Sequence, residues 1–215
     1  MTDADKPAAE RAYALTKELL LTGELPGGHL FSEGDIANRL GVSRTPVREA
    51  FLRLQAEDLL RLVPKRGAIV VPVPPGEAED VLDAREAIET AAVRRLLRDP
   101  ARVPGTLETL RGVLASQHRH AEAGDLAAFA ATDEAFHRTI VAAGGNNLTM
   151  RFYVTLADRQ RRMSLHALRP APEMVAEVLR QHLGLIDVIG SAVESGDPTG
   201  FTSALREHLD RTHRQ

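Results

Sequence analysis

The chain has 215 residues, of which 43% are hydrophobic and 27% charged, with no cysteine and a formal net charge of -3. That profile excludes a disulfide framework, a thiolate metal site and a uniformly basic nucleic-acid coat, and no run of about 18 apolar residues offers a membrane span. The length suits two small domains or one large one.

The opening stretch MTDADKPAAERAY is acidic and lacks an apolar centre, so no signal peptide and a cytoplasmic location are expected. AAERAYALTKELLLTG predicts a helix over 8–22, closed by Gly23, and ELPGGHLF a turn with a very short strand. In SEGDIANRLG, Ser32 can cap a second helix with Asp35 three residues on, and Gly41 ends it. Ser43 is then placed to cap a third helix over 44–58, where Pro46 falls in the first turn and forfeits no helical partner. LLRLV and AIVVP flank the turn PKRG and predict a β-hairpin. A stiff linker at 73–76, within PVPPGE, separates a first domain at 8–72 from a second at 77–215. Beyond it the pattern is helical throughout, with helices expected at 77–98, 104–122, 125–142, 147–167, 172–195 and 198–213. The expected fold is therefore mainly α: a winged helix-turn-helix with a small hairpin wing, then an all-α bundle of about six helices.

The third helix carries the first functional signal. Val47, Ala50, Phe51 and Leu54 follow core spacing, while Arg44, Arg48 and Gln55 project from the next ridge with Thr45 beside them. Glu49 and Arg53 read as an ordinary i,i+4 pair. A helix, a tight Gly41-Val42 turn and this helix form a helix-turn-helix whose second helix can enter the major groove. There a guanidinium can pair with guanine O6 and N7 or with phosphate. Ser43, Thr45 and the free N–H groups of the helix start suit a phosphate oxygen, and Lys65 and Arg66 at the hairpin tip would reach backbone or minor groove. The bland reading of the same ridge is a solvated helix face.

LTGELPGGHLFSEGDIANRLGVSRTPVREAFLRLQAEDLL and PKRGAIVV, within residues 10–71, resemble the winged helix of the GntR family of bacterial transcription regulators. The resemblance implies DNA contacts at Ser43, Arg44, Thr45 and Arg48, and at Arg66 and Gly67 on the wing. Two positions depart from the family pattern: Gly34 stands where some relatives carry a DNA-contacting basic residue, and Asp58 where a glycine is usual.

The second signal lies in the bundle. Asp133 and His137 occupy the stripe Leu126, Phe129, Ala130, Ile140, and an aspartate there is expensive to bury without a partner. His182 lies on the stripe Val175, Val178, Leu185, Ile189, and His208 on Phe201, Ala204, Leu205, Thr212. One carboxylate and three imidazoles on inward stripes of three helices suit a divalent metal such as Zn²⁺ or Ni²⁺; singly, each histidine reads as a satisfied core residue. His29, His118, His120 and His213 show no such placement and are expected at the surface. Arg85 and Arg159, both on stripes expected to face inward, could clamp an anionic effector, although Arg85 has an internal alternative partner in Glu89.

Residues 77–213, through DAREAIETAAV, DEAFHRTIVAAGGNNL and AVESGDPTGFTSALREHL, resemble the FadR-type ligand-binding domain called FCD, in its six-helix VanR-like branch. The resemblance implies metal ligands at Asp133, His137 and His208, and a fourth at the place of Ile186. His182 is one turn earlier on nearly the same face, so either it substitutes through a shift or the set is incomplete. It also implies a small organic or sugar acid as effector, a homodimer on a pseudo-palindromic double-stranded operator, and, as the commoner family behaviour, repression. Two other functions compete. A metal-dependent enzyme using the Asp/His cluster lacks a Ser-His-Asp spacing, an HExxH or a phosphate-cradling glycine loop. A DNA-compacting protein fits poorly with the net acidity.

Overall fold

The computed structural model describes residues 6–169, 171 and 173–213. It divides into two compact units, Met1–Pro75 and Gly76–Gln215, the last two residues of the second lying outside the described residues.

The first unit contains α1 (Ala8–Leu21), β1 (Leu30–Phe31), α2 (Glu33–Leu40), α3 (Arg44–Ala56), β2 (Leu60–Val63) and β3 (Gly67–Val70). The three strands form an antiparallel sheet of order β1-β3-β2, with Phe31 opposite Ala68 and Leu62 also opposite Ala68 on the other side. Ser32 and Asp35 form a capping box on α2, and Gly41 closes that helix in the left-handed conformation at φ 64°. Val47, Ala50, Phe51 and Leu54 of α3 are fully buried, and Phe51 meets Phe31 edge to face at 5.2 Å. The hairpin is thereby anchored to the helix-turn-helix by shared core.

Three local expectations are corrected here. The third helix ends at Ala56 rather than 58, because Leu59 N–H returns to Leu54 O and Asp58 N–H to Gln55 O with Asp58 at φ 57°. That is a Schellman ending with aspartate in the place glycine usually takes. Ser43 occupies the N-cap position of α3, yet its hydroxyl makes no capping hydrogen bond. Arg53 does not pair with Glu49: it pairs with Glu10 at 2.5 Å and lies over the Tyr13 ring.

The second unit contains α4 (Glu77–Leu96), a short 3-10 turn (Pro100–Arg102), α5 (Val103–Glu122), α6 (Leu126–Ala143), α7 (Asn147–Val154), α8 (Ala157–Leu168), α9 (Met174–Ser191) and α10 (Thr199–His213). The expected start of the fifth bundle helix at Pro172 lies outside the described residues, and α9 begins at Met174. The single helix expected at 147–167 is two helices, so the described residues hold seven bundle helices rather than six. Thr155 and Leu156 turn back to Phe152 and Tyr153 with tight i→i-3 bonds, which ends α7 and re-aims the chain. The core runs through Leu82, Val93, Leu110, Phe129, Phe136, Ile140, Leu185, Ile186 and Phe201, so α4, α5, α6, α9 and α10 share one apolar centre.

Candidate metal centre and nucleic-acid interface

Helix α6 runs through the bundle core and places Asp133 and His137 one turn apart on its buried side. α9 contributes His182 and α10 His208, all four residues being buried. One ligand atom from each of Asp133, His137, His182 and His208 falls within 4.8 Å of the others. Ile186 is buried in the hydrophobic core, and it is His182, one turn earlier, that stands with the other three.

Each ring has a side-chain acceptor facing its Nδ1. His137 Nδ1 faces Glu89 Oε2 at 2.7 Å, His182 Nδ1 faces Gln117 Oε1 at 2.8 Å, and His208 Nδ1 faces Gln181 Oε1 at 2.7 Å. Each acceptor suits a proton on Nδ1, and a neutral ring so protonated turns the lone pair of its Nε2 toward the cluster. Yet His137 Nε2 and His208 Nε2 stand 3.1 Å apart, and His182 Nε2 has no hydrogen-bond partner and lies 3.4 Å from Asp133 Oδ1. Polar lone pairs converging in a buried space suit a cation between them. Protonation supplies it poorly: burial pushes His182 down to about 3, and burial with the neighbouring imidazoles holds His208 well below its ordinary value. The three nitrogens and one carboxylate oxygen therefore fit a divalent ion of the Zn²⁺ or Ni²⁺ kind, with Asp133 oriented by the Ser164 hydroxyl at 2.9 Å.

Glu89 is the hub behind this cluster. Its carboxylate accepts from His137 Nδ1, from the Tyr153 hydroxyl at 2.6 Å and from Arg85 Nε at 3.1 Å. Burial alone would raise its pKa, but His137 and Arg85 outweigh that and hold it at about 2. Arg85 is 1% exposed, and its Nη2 has no hydrogen-bond partner among the described residues. Arg159 is not inward as expected: the break after Val154 leaves Phe152 70% exposed, and Arg159 binds Glu77 at 2.9 Å and Thr155 O at 3.1 Å on the surface side. His213, expected at the surface, is also corrected. Its Nε2 is buried without a partner, and burial pushes it down to about 3. It lines a cavity of about 270 Å³ with Met163, His166, Met174 and Thr212, whose hydroxyl is likewise unpartnered. The chain signals for Gln117, Gln181, Ser164 and Tyr153 were absent from periodicity, since neutral polar residues on a buried stripe announce no partner.

In the first unit, Ser43, Arg44, Thr45, Arg48, Lys65 and Arg66 are all exposed, and none of the four cations among them makes an ion pair with a described residue. Arg44 lies over Gly34, whose missing Cβ would come within 3.5 Å of its guanidinium. Gln55 leaves the ridge, because its side-chain oxygen accepts Leu62 N–H at 2.9 Å and ties α3 to the wing. Lys65 takes φ 63° at the wing tip. Gly67, at φ 107°, has a packing reason to be glycine: a Cβ there would sit 2.2 Å from Phe31 O.

Residues 8–70 match the model of the bacterial regulatory proteins of the gntR family, and residues 80–211 that of the FCD domain. An uncharacterized HTH-type transcriptional regulator in an unstable DNA locus of Streptomyces ambofaciens is 35% identical over 92% of this chain and 80% of its own. The gluconate operon transcriptional repressor of Bacillus subtilis is 25% identical over 93% of this chain and 80% of its own. The solved structure of E. coli McbR/YncC has the same fold, with a TM-score of 0.73 at 24% identity over 96% of this chain and 95% of that one. No helix of the described residues is long and apolar enough to cross a membrane.

Proposed function

This chain belongs to the GntR family of bacterial transcription regulators, with an FCD domain behind its DNA-binding domain, and from that premise we propose that it represses transcription from a pseudo-palindromic operator, as a homodimer, under the control of a small organic or sugar acid. Its relatives are transcription regulators, not enzymes, which removes the metallo-enzyme alternative. The observation that carries the reading is the buried meeting of three imidazoles, one with an unpartnered Nε2, with the Asp133 carboxylate inside the FCD domain.

Asp133, His137, His182 and His208 would hold the metal, which as a Lewis acid supplies a positive centre for an anion. Arg85 offers its free Nη2, and Thr212 and His213 offer buried polar atoms beside the cavity. A cavity of that size takes a small acid rather than a long-chain one. The sugar-acid class is supported by the relative named for the gluconate operon. Arg159, committed to Glu77, has no part in this proposal.

On DNA, α3 lies in the major groove with Arg44 and Arg48 at base edges or phosphates, Ser43 and Thr45 on the backbone, and the wing's Lys65, Arg66 and Gly67 beside it. Ser43 suits a phosphate because its hydroxyl is not spent on capping. The effector must bind one arrangement of the dimer better than the other; moving the population from about 1:99 to 99:1 requires roughly a 10⁴-fold preference.

The test is a gel shift of the untagged protein on its own upstream DNA, with EDTA, Zn²⁺ or Ni²⁺, and a panel of sugar acids, beside elemental analysis. Near-stoichiometric metal, lost in both His137→Ala and His182→Ala, with retention that one acid changes, is expected. Equal affinity for upstream and random duplex at physiological salt would sink the operator reading, and metal-free protein that gains none on incubation would sink the metal.

A further inference from the structure

Two tethers bound the outward side of α3. On one flank Arg53 reaches Glu10 and the Tyr13 ring of α1, and on the other Gln55 accepts Leu62 N–H of β2. Between them, at helical spacing, lie Thr45, Arg48, Glu49 and Leu52, all exposed and opposite the buried Val47, Ala50 and Leu54. Leu52 is 51% exposed. A lone exposed leucine is ordinary on a protein surface. This one stands one turn beyond Arg48, in the middle of the face that carries the recognition ridge. Side chains on a helix lean toward its N-terminus, so the isobutyl group covers the turn between the two residues.

We propose, resting on the operator reading above, that Leu52 is a specificity-determining residue, packing on the C5-methyl group of a thymine in the major groove near the base pair that Arg48 meets. An isobutyl group has no hydrogen bond to offer a phosphate or a base edge. The one apolar group that base pairs display in the major groove is the thymine methyl. Glu49, on the same face, supports base edges rather than backbone as the neighbour here: phosphates repel a carboxylate, whereas cytosine N4–H₂ can donate to it. Along the helix axis Leu52 lies about 6 Å from Arg48, roughly two base-pair rises of about 3.4 Å. With α3 along the groove, the thymine falls within about two steps of the pair that Arg48 contacts. Arg48 then selects by charge and hydrogen bonds, and Leu52 by shape at a neighbouring position.

The test uses the full chain on its own upstream DNA. The protected stretch is found by footprinting, and each of its thymines is replaced in turn by deoxyuridine, which lacks only the C5-methyl. Fluorescence anisotropy should find a thymine at which uracil weakens the unmutated protein about fourfold, the worth of one buried methyl group. Leu52→Ala should bind the thymine duplex more weakly by about that factor or more and be indifferent to uracil at that position. Its melting temperature and the salt dependence of its binding should match those of the unmutated protein, because no phosphate contact is lost. Leu52→Met, which keeps an apolar side chain of similar volume, should retain the sensitivity to uracil. If no thymine is sensitive, or if the sensitive one costs Leu52→Ala as much as the unmutated protein, the Leu52 contact is overturned. Preference for upstream over random duplex then still upholds the operator reading. Equal affinity of the unmutated protein for the two duplexes overturns both.

Discussion

Replacing Glu89 by glutamine keeps the shape of the side chain and removes its charge, and the structure says what that does. The carboxylate accepts three hydrogen bonds in a fully buried place, from His137 Nδ1, Tyr153 Oη and Arg85 Nε. A glutamine has one acceptor oxygen and two N–H donors, so one of the three donors must face another donor. Arg85 loses the carboxylate that neutralises it, and breaking a buried pair by removing one partner costs about 3–5 kcal/mol. The titration of Glu89 gives the same order by a separate route. Its folded pKa is held down at about 2 from an ordinary 4.5, a depressed carboxylate whose contribution is present above the unfolded value and is lost as pH falls through the folded one. That shift is worth about 3 kcal/mol at neutral pH. Urea denaturation of Glu89→Gln at pH 7 in EDTA should therefore show the FCD transition weakened by about 3 kcal/mol or more, a large part of the roughly 5–15 kcal/mol of a typical domain. Repeated with Zn²⁺, the deficit should grow, because His137 loses the acceptor that sets its tautomer and metal affinity falls about 10–100-fold. A loss under about 1 kcal/mol in EDTA would mean that Arg85 and His137 find other partners and that Glu89 is no hub.

Gly67→Ala should destabilise the winged domain by about 2–3 kcal/mol, from a left-handed φ and a Cβ placed 2.2 Å from Phe31 O; thermal melting of the first transition checks it, and an unchanged melt would mean that β1 yields freely. Arg48→Ala should weaken operator binding by about 1–3 kcal/mol, and an equal loss on random duplex in fluorescence anisotropy would make the contact a phosphate rather than a base. The metal-free protein should lose stability as pH falls from about 6.5 toward 3. His182 and His213 are held near 3 and His208 well below its ordinary value, so in that window the unfolded chain binds protons that the folded chain refuses. Each contributes a slope of up to about 1.4 kcal/mol per pH unit, and a melting temperature in EDTA that stays flat between pH 7 and 5 would refute the burial of those rings.

What the sequence made legible, and what it did not, follows from where each signal is stored. The capping box at Ser32 and Asp35, the left-handed Gly41 and the stripe Val47, Ala50, Phe51, Leu54 are local, so a few consecutive residues disclose them. The inward stripes of α6, α9 and α10 were equally readable, and with them the oddity of Asp133, His137, His182 and His208 on buried faces. The break between α7 and α8 was not, because Phe152, Leu156 and Met163 keep helical spacing straight across it while the backbone bonds tighten at Thr155 and Leu156. Phe152 then points outward and Arg159 reaches Glu77, neither of which periodicity can register. The outer partners of the cluster are hidden for a deeper reason. Glu89 reads in sequence as the i,i+4 mate of Arg85, which it is, but its other two donors lie 48 and 64 residues away. Gln117 and Gln181 carry no charge to look misplaced, and their value exists only once α5 is set beside α9 and α9 beside α10. A helix stripe tells which residues face the core; the register between helices decides which nitrogen of each ring keeps its proton, and so whether the four side chains form a cation site or merely a polar defect.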